Sequence, residues 1–408
     1  MFRRFFSELF FNTSLGNGFY SDLSSGTFVV LIIFIILSFL LIKLSEYMKV
    51  EFLFSLGLLL SSITTINVLR YKPYGGDAKI YCDLTFLSKS SNFSIYDVEY
   101  KYTFNYPPIF GQILDFLCDF GYQTNYYFFL LPALILFLLI LRNENRNAFF
   151  SFMYLFGAFL ALWWVLKTGN FVMLELLFLI LFVWHYKKKS HLSYLFLILF
   201  GIQRIWFLLL VPILFFLDNT NFAKKAKTII FTLVFVMLVN INSLNEFLGS
   251  ILNSNSQYNI LRESPGHNTP SIYLGLLNIL NIDSNIILLI IYVLAGIFIL
   301  FLILRKLKIS TDIKLITTFT FVLLINPYLK PYHFIFIVPC LLLVSDSFLR
   351  DKRSIITAII LPNLFWIIFS NLSSGTSLGF FQLLFIIAFI INLISLDKEK
   401  NEIDRFKI

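Results

Sequence analysis

With 408 residues, 58% of them apolar and only 13% charged, the chain is too greasy for an ordinary soluble domain. Its net charge of +9 is gathered in short clusters between apolar runs, a topological pattern rather than a nucleic-acid footprint, so no nucleic-acid partner is expected. The cysteines, Cys82, Cys118 and Cys340, lack CxxC spacing, which points to neither a zinc site nor a disulfide framework; a single Cys82–Cys118 bridge on an oxidising face stays open.

The amino-terminal segment, MFRRFFSELFFNTS, starts basic but is interrupted by Ser7, Glu8 and Asn12. It reads as an amphipathic interfacial segment rather than a cleaved signal. From there apolar runs recur near 27–42, 51–69, 126–141, 148–166, 171–186, 192–202, 204–217, 228–241, 283–304, 315–326, 332–348, 354–370 and 378–396. Runs such as FVVLIIFIILSFLLI (28 to 42) are apolar all round, which selects membrane helices over the alternating strands of a barrel. The expected fold is therefore an all-α polytopic membrane protein of about 12 to 13 transmembrane helices, one integral-membrane domain over residues 1–408.

Alternation sorts the connections into two sets. The loops after 42, 141, 186, 217, 304, 348 and 396 hold 21 of the 32 basic residues, so they and the 397–408 tail are expected in the cytoplasm. Arg3 and Arg4 are discordant with strict alternation. The other set contains every polar, motif-like segment: a long loop at 70–125, KTGN at 167–170, GIQR at 201–204, a second long loop at 242–282, and NPYLKPYH at 326–333. This assignment takes 192–217 as two short helices meeting at GIQR; a single tilted span there would invert everything upstream.

The 70–125 loop is too long for a plain connection and too aromatic for disorder. Within it Asp77 follows Gly75 and Gly76. A short carboxylate held by a turn suits a general base, and it equally suits the cap of a helix starting at Ala78. FNYPP at 104–108 disfavours helix just before it, and IFGQILDFLCDF reads as an amphipathic helix lying on the surface. Glu175, inside its span, would cost about 2.5 to 3.5 kcal/mol at mid-membrane and is expected to face the interior, with Arg204 as a partner. Arg204 and Lys167 sit at span ends, where snorkelling is the plain alternative to ligand binding. Asp77, Asp83, Asp97 and Glu99 fit no compact metal loop, so no obligatory metal is expected, a divalent ion staying open, and no cofactor is expected.

In order along the chain, the GGD aspartate, FNYPP, KTGNFVMLELL (167–177), GIQRIWFLLLVPILFF (201–216), GHNTPSIYLGL (266–276) and NPYLKPYHFIFIVP (326–339) together resemble the polyprenyl-phosphate-sugar-dependent glycosyltransferases of family 87, across roughly residues 70 to 345. Lys330 and His333 stand where that family usually has a histidine pair, and Arg204 where a lysine is common. The resemblance implies a C-type glycosyltransferase fold in the cell membrane, with the 70–125 loop carrying a jaw-like surface helix and the active site on the extracytoplasmic face. It implies transfer of mannose or another hexose or pentose from a polyprenyl-phosphate-linked sugar donor to a glycan or glycolipid acceptor, with inversion. Asp77 would be the general base. Lys167, Arg204, Arg262, Lys330 and His333 would bind the donor phosphate, and Tyr81, Asn105, Tyr106, Asn170, His267 and Asn268 the sugar or acceptor. A transporter or flippase of lipid-linked oligosaccharides, or a polymerase, is the competing class; a transporter would place its polar groups at the midplane, whereas here they crowd one surface.

Overall fold

The computed structural model describes residues 38–70, 76–91, 108–121, 148–170, 172–217, 221–241, 271–280, 285–306, 309–327, 329–341, 346–369 and 378–406, and single positions between them that include Tyr106. Every regular element among the described residues is helical. They include, in chain order, α1 (Val50–Arg70), α2 (Gly76–Ser91), α3 (Pro108–Cys118), α4 (Ala148–Gly157), α5 (Ala161–Thr168), α6 (Val172–Lys187), α7 (Ser193–Gln203), α8 (Leu210–Leu217), α9 (Phe222–Val239), α10 (Ile272–Leu280), α11 (Ile286–Lys306), α12 (Thr311–Ile325), α13 (Ile337–Cys340), α14 (Leu361–Phe369) and α15 (Leu378–Phe406), with shorter helical pieces between them.

Among the described residues two helices are long and apolar enough to cross a membrane, Val50–Asn67 within α1 and Ile287–Lys306 within α11. Other apolar runs are cut into shorter pieces. The run at 148–166 breaks where Phe159 and Leu160 take left-handed backbone angles (φ 55° and 57°), and the run at 332–348 starts as a 3-10 helix, Pro331–Phe336. In the expected tail at 397–408 the helix of the last apolar run continues, α15 reaching Phe406. The 70–125 loop contains two helices, α2 and α3.

The chain divides into two compact units, one of residues 1–70, 146–163 and 264–408, the other of 71–145 and 164–263. In the first, α1 packs on α14 and on the π-helical segment Ile356–Ile360 before it. Close approach is allowed by Gly57 and Gly157: a Cβ on Gly157 would lie 2.6 Å from Ser61 Oγ and 2.9 Å from Ile359 Cγ2. Asn363 Nδ2 donates to the Gly157 and Ile359 carbonyls. At the far end of α12, Ser310 accepts from the Ile313 N–H as N-cap and donates its own N–H to Asp397 on α15.

In the second unit, α2 and α3 are tied by the Cys82–Cys118 disulfide, with Cα atoms 5.3 Å apart. Lys89 bridges Asp115 (2.8 Å) and Asp119 (3.3 Å) on the exposed side, and those carboxylates hold its ammonium above the usual lysine range. Pro108 opens α3 where no N–H is needed, and Phe110, Leu114 and Leu117 bury one stripe of it. Gly121 (φ 93°) closes the helix in the left-handed region that favours glycine. Helices α6 and α7 form a hairpin, and α7 stops at Arg204 (φ −138°, ψ 85°), beyond which a 3-10 turn, Ile205–Leu209, leads into α8. The two-helix reading of 192–217 thus matches the observed break.

Candidate active site

The sequence explains how each side chain reaches the cluster in the second unit. Asp77 and Tyr81 lie four residues apart on α2, hence on one helix face. Asp77 falls inside the first turn of α2, which begins at Gly76 rather than at Ala78, so it complements the positive end of the helix dipole. Tyr106 immediately precedes the proline pair that opens α3. Helix α5 is halted by Gly169 (φ 67°), whose N–H still bonds to the Val165 carbonyl, and Asn170 is the next residue out. Glu175 sits in the first turn of α6. Arg204 is the residue at which α7 ends.

These six side chains form one hydrogen-bonded network. Asn170 Nδ2 donates to Asp77 Oδ2 at 2.9 Å, while Asn170 Oδ1 accepts from the Tyr106 hydroxyl (3.0 Å) and from Arg204 Nη2 (3.1 Å). Arg204 Nη2 also donates to the Tyr106 oxygen (3.1 Å), and Arg204 Nε lies 3.0 Å from both oxygens of Glu175. The orientation of the Asn170 amide follows: turned over, it would set a donor against a guanidinium and an acceptor against a carboxylate. The Tyr106 proton is committed to Asn170, so the Tyr81 hydroxyl, 3.3 Å from that of Tyr106, is the donor in that pair. The two rings meet edge to face at 5.5 Å, and the Arg204 guanidinium lies 5.3 Å from the Tyr106 ring centre.

Exposure is graded along this chain. Glu175 is wholly buried, the Arg204 side chain is 20% exposed, and Asp77 is half-buried at the outer end. Tyr106 is buried outside the apolar spans, and burial pushes its phenol up to about 12 despite the guanidinium beside it. It is therefore a fixed neutral donor and acceptor at physiological pH. Chemically, the cluster presents one partly exposed carboxylate whose orientation is dictated by neutral and cationic groups behind it.

Of the residues expected at the site, Asp77, Tyr81, Tyr106, Asn170 and Arg204 are brought together here. Lys167 lies on α5. Lys330 and His333 belong to the other unit, where the Lys330 N–H donates to His333 Nδ1 at 3.1 Å, which leaves the imidazole proton on Nε2. Asn105, Arg262, His267 and Asn268 lie outside the described residues. Among the described residues no group of three or more His, Cys, Asp or Glu side chains could hold a metal ion. Sequence reasoning missed Asn240, whose Oδ1 accepts from the Ile109 N–H in the first turn of α3 (3.1 Å); an asparagine ending the long apolar run of α9 was the available signal. The expected pairing of the interior Glu175 with Arg204 is observed; the further bonds from Arg204 Nη2 to Tyr106 and Asn170 were not anticipated. Compared with known proteins, the chain matches no family model, no curated protein and no solved structure.

Proposed function

We propose that the chain is a multi-pass membrane glycosyltransferase of the C-type fold that moves a sugar from a polyprenyl-phosphate carrier to a glycan or glycolipid acceptor. Asp77 is its general base. The observation that carries this reading is the Asp77 carboxylate, partly exposed and oriented by Asn170 within a buried Arg204–Glu175 framework. A group so held accepts a proton without first reorganising, which is what base catalysis at a hydroxyl requires. The acceptor oxygen attacks the anomeric carbon as the bond from that carbon to the phosphate oxygen breaks. The hydroxyl proton passes to Asp77, the lipid phosphate leaves with the bonding pair, and the sugar inverts. Lys167, Arg262, Lys330 and His333 are the proposed cations and donors for the departing phosphate, and Tyr81 and Tyr106 the proposed sugar contacts, with Asn105, His267 and Asn268.

Membrane embedding is supported by apolar faces left uncovered, Phe231, Phe235 and Leu238 on α9 and Ile287, Ile291, Leu294 and Phe298 on α11. An extracytoplasmic place for the Asp77 segment is supported by the Cys82–Cys118 bridge within it, because disulfides persist on oxidising faces. The test is transfer from radiolabelled polyprenyl-phosphate sugars by membranes carrying the chain. Wild type should transfer from one of the panel, and Asp77→Asn should reduce that transfer by a factor of about 10² or more. Full activity in the variant would remove Asp77 from the chemistry; lipid-linked sugar moved across the membrane without transfer would favour a flippase.

A further inference from the structure

The carboxylate of Glu175 is the most deeply buried charge of the cluster and touches no point where a substrate could reach it. We propose that Glu175 is a positioning residue that acts through Arg204 and Asn170 on the Asp77 carboxylate. This rests on the glycosyltransferase reading and changes the role of Arg204 within it. A phosphate-binding arginine turns its fork toward the ligand. Here Nε faces Glu175, and Nη2 is shared between the Tyr106 oxygen and Asn170 Oδ1. The charge of Arg204 is thus matched from behind by Glu175, and its geometry is spent on fixing two neutral groups. Asn170, with both ends of its amide determined, passes that orientation to Asp77. Arginine suits the role because one planar fork serves three acceptors in fixed directions, which a lysine ammonium cannot do.

Two kinds of measurement on the full-length chain in detergent test this. The first needs no substrate: carbodiimide labelling of carboxylates, read residue by residue by mass spectrometry. Glu175→Gln and Arg204→Lys should each change Asp77 labelling by about threefold or more, with Asp115 and Asp119 unchanged as controls for the fold. Unaltered Asp77 labelling in both variants overturns the proposal. The second is a kinetic cycle with the transferring donor. Glu175→Gln and Asn170→Ala should each lower kcat by about 10- to 100-fold with the donor KM little changed, and the double variant should be no slower than the worse single one. Glu175→Asp should recover part of the loss. Effects that multiply, or a donor KM that rises in Arg204→Lys with kcat intact, would mean that Arg204 binds the phosphate directly. Should Glu175→Gln fail to fold, Arg204→Lys, which keeps the buried charge paired, carries both measurements. If wild type transfers no sugar while Asp77 labelling still responds, the glycosyltransferase reading falls and the coupling stands.

Discussion

Tyr106 accepts hydrogen bonds from two donors, Arg204 and Tyr81, while giving its only proton to Asn170, so a single atom joins three elements. Its raised pKa makes that junction pH-dependent in a defined direction. The folded state holds the phenolic proton to about 12, whereas the unfolded chain releases it near the ordinary tyrosine value of about 10. The stabilisation is fully present below the unfolded value and is lost as pH rises from about 10 through about 12, for a total of about 2 to 3 kcal/mol. Thermal unfolding in detergent should be flat below that window and fall within it. Tyr106→Phe should remove the dependence and lower stability by about 1 to 3 kcal/mol at neutral pH, because Asn170, Arg204 and Tyr81 each lose a partner. A wild-type midpoint that falls no faster than that of Tyr106→Phe between those pH values would refute the assignment.

At the scale of elements, the break at Arg204 depends on what glycine omits. A Cβ on Gly201 would sit 2.7 Å from Leu208 Cδ2 and 3.2 Å from the Leu208 backbone nitrogen, so the turn that follows can fold back only over a bare backbone. Gly201→Ala should cost about 1 to 3 kcal/mol in unfolding and displace the guanidinium that the break aims inward. Sugar transfer should fall with it even where the protein still purifies intact, and an unchanged rate would show that the turn tolerates the methyl group. The disulfide acts on the other side of the cluster. Cys82 follows Tyr81 on α2, and Cys118 ends the helix that Tyr106 introduces, at a sequence separation of 36. Closing a loop of that length limits the unfolded ensemble by roughly 3 to 4 kcal/mol on the chain-entropy account. Cys82→Ser should therefore lower the unfolding midpoint in non-reducing buffer, and dithiothreitol should lower that of wild type but not of the variant. Much of this was legible beforehand. The glycine–aspartate pair, FNYPP, KTGN and GIQR each mark a helix start or stop, and a residue at a helix end is held in a direction that local backbone chemistry sets. The pairing of Arg204 with Glu175 was legible from a lone acid inside an apolar run, but the sharing of Arg204 Nη2 between Tyr106 and Asn170 was not, because it depends on a rotamer fixed by residues of three other segments. Nor was the left-handed pair Phe159–Leu160, whose side chains disfavour that conformation; both residues are buried, and Phe159 packs edge to face on Phe389 at 5.5 Å, so packing imposes what the local sequence does not announce.

For the whole molecule, two independent physical arguments bear on the proposed sidedness. Basic residues concentrate in alternate loops, as the insertion machinery favours on the cytoplasmic side. The Cys82–Cys118 bridge requires an oxidant and so favours the proposed place of the α2–α3 pair, away from the reducing cytosol. The two agree only if GIQR lies between separate helices, since one continuous span over 192–217 would reverse the upstream loops and put the disulfide in the cytoplasm. The structure shows the chain broken there, with Arg204 outside helical geometry. A reporter inserted after Lys101 is thus expected outside and one inserted after Lys189 inside. An impermeant maleimide should label Cys82 and Cys118 in intact cells only after reduction. If the Lys101 reporter is cytoplasmic while the cysteines remain oxidised, the positive-inside assignment fails at α1. If the cysteines are reduced in cells and the reporter is cytoplasmic, both arguments fail together, and with them the proposed extracytoplasmic site, because the Asp77 carboxylate, seven residues after α1 ends, must share the face of its loop.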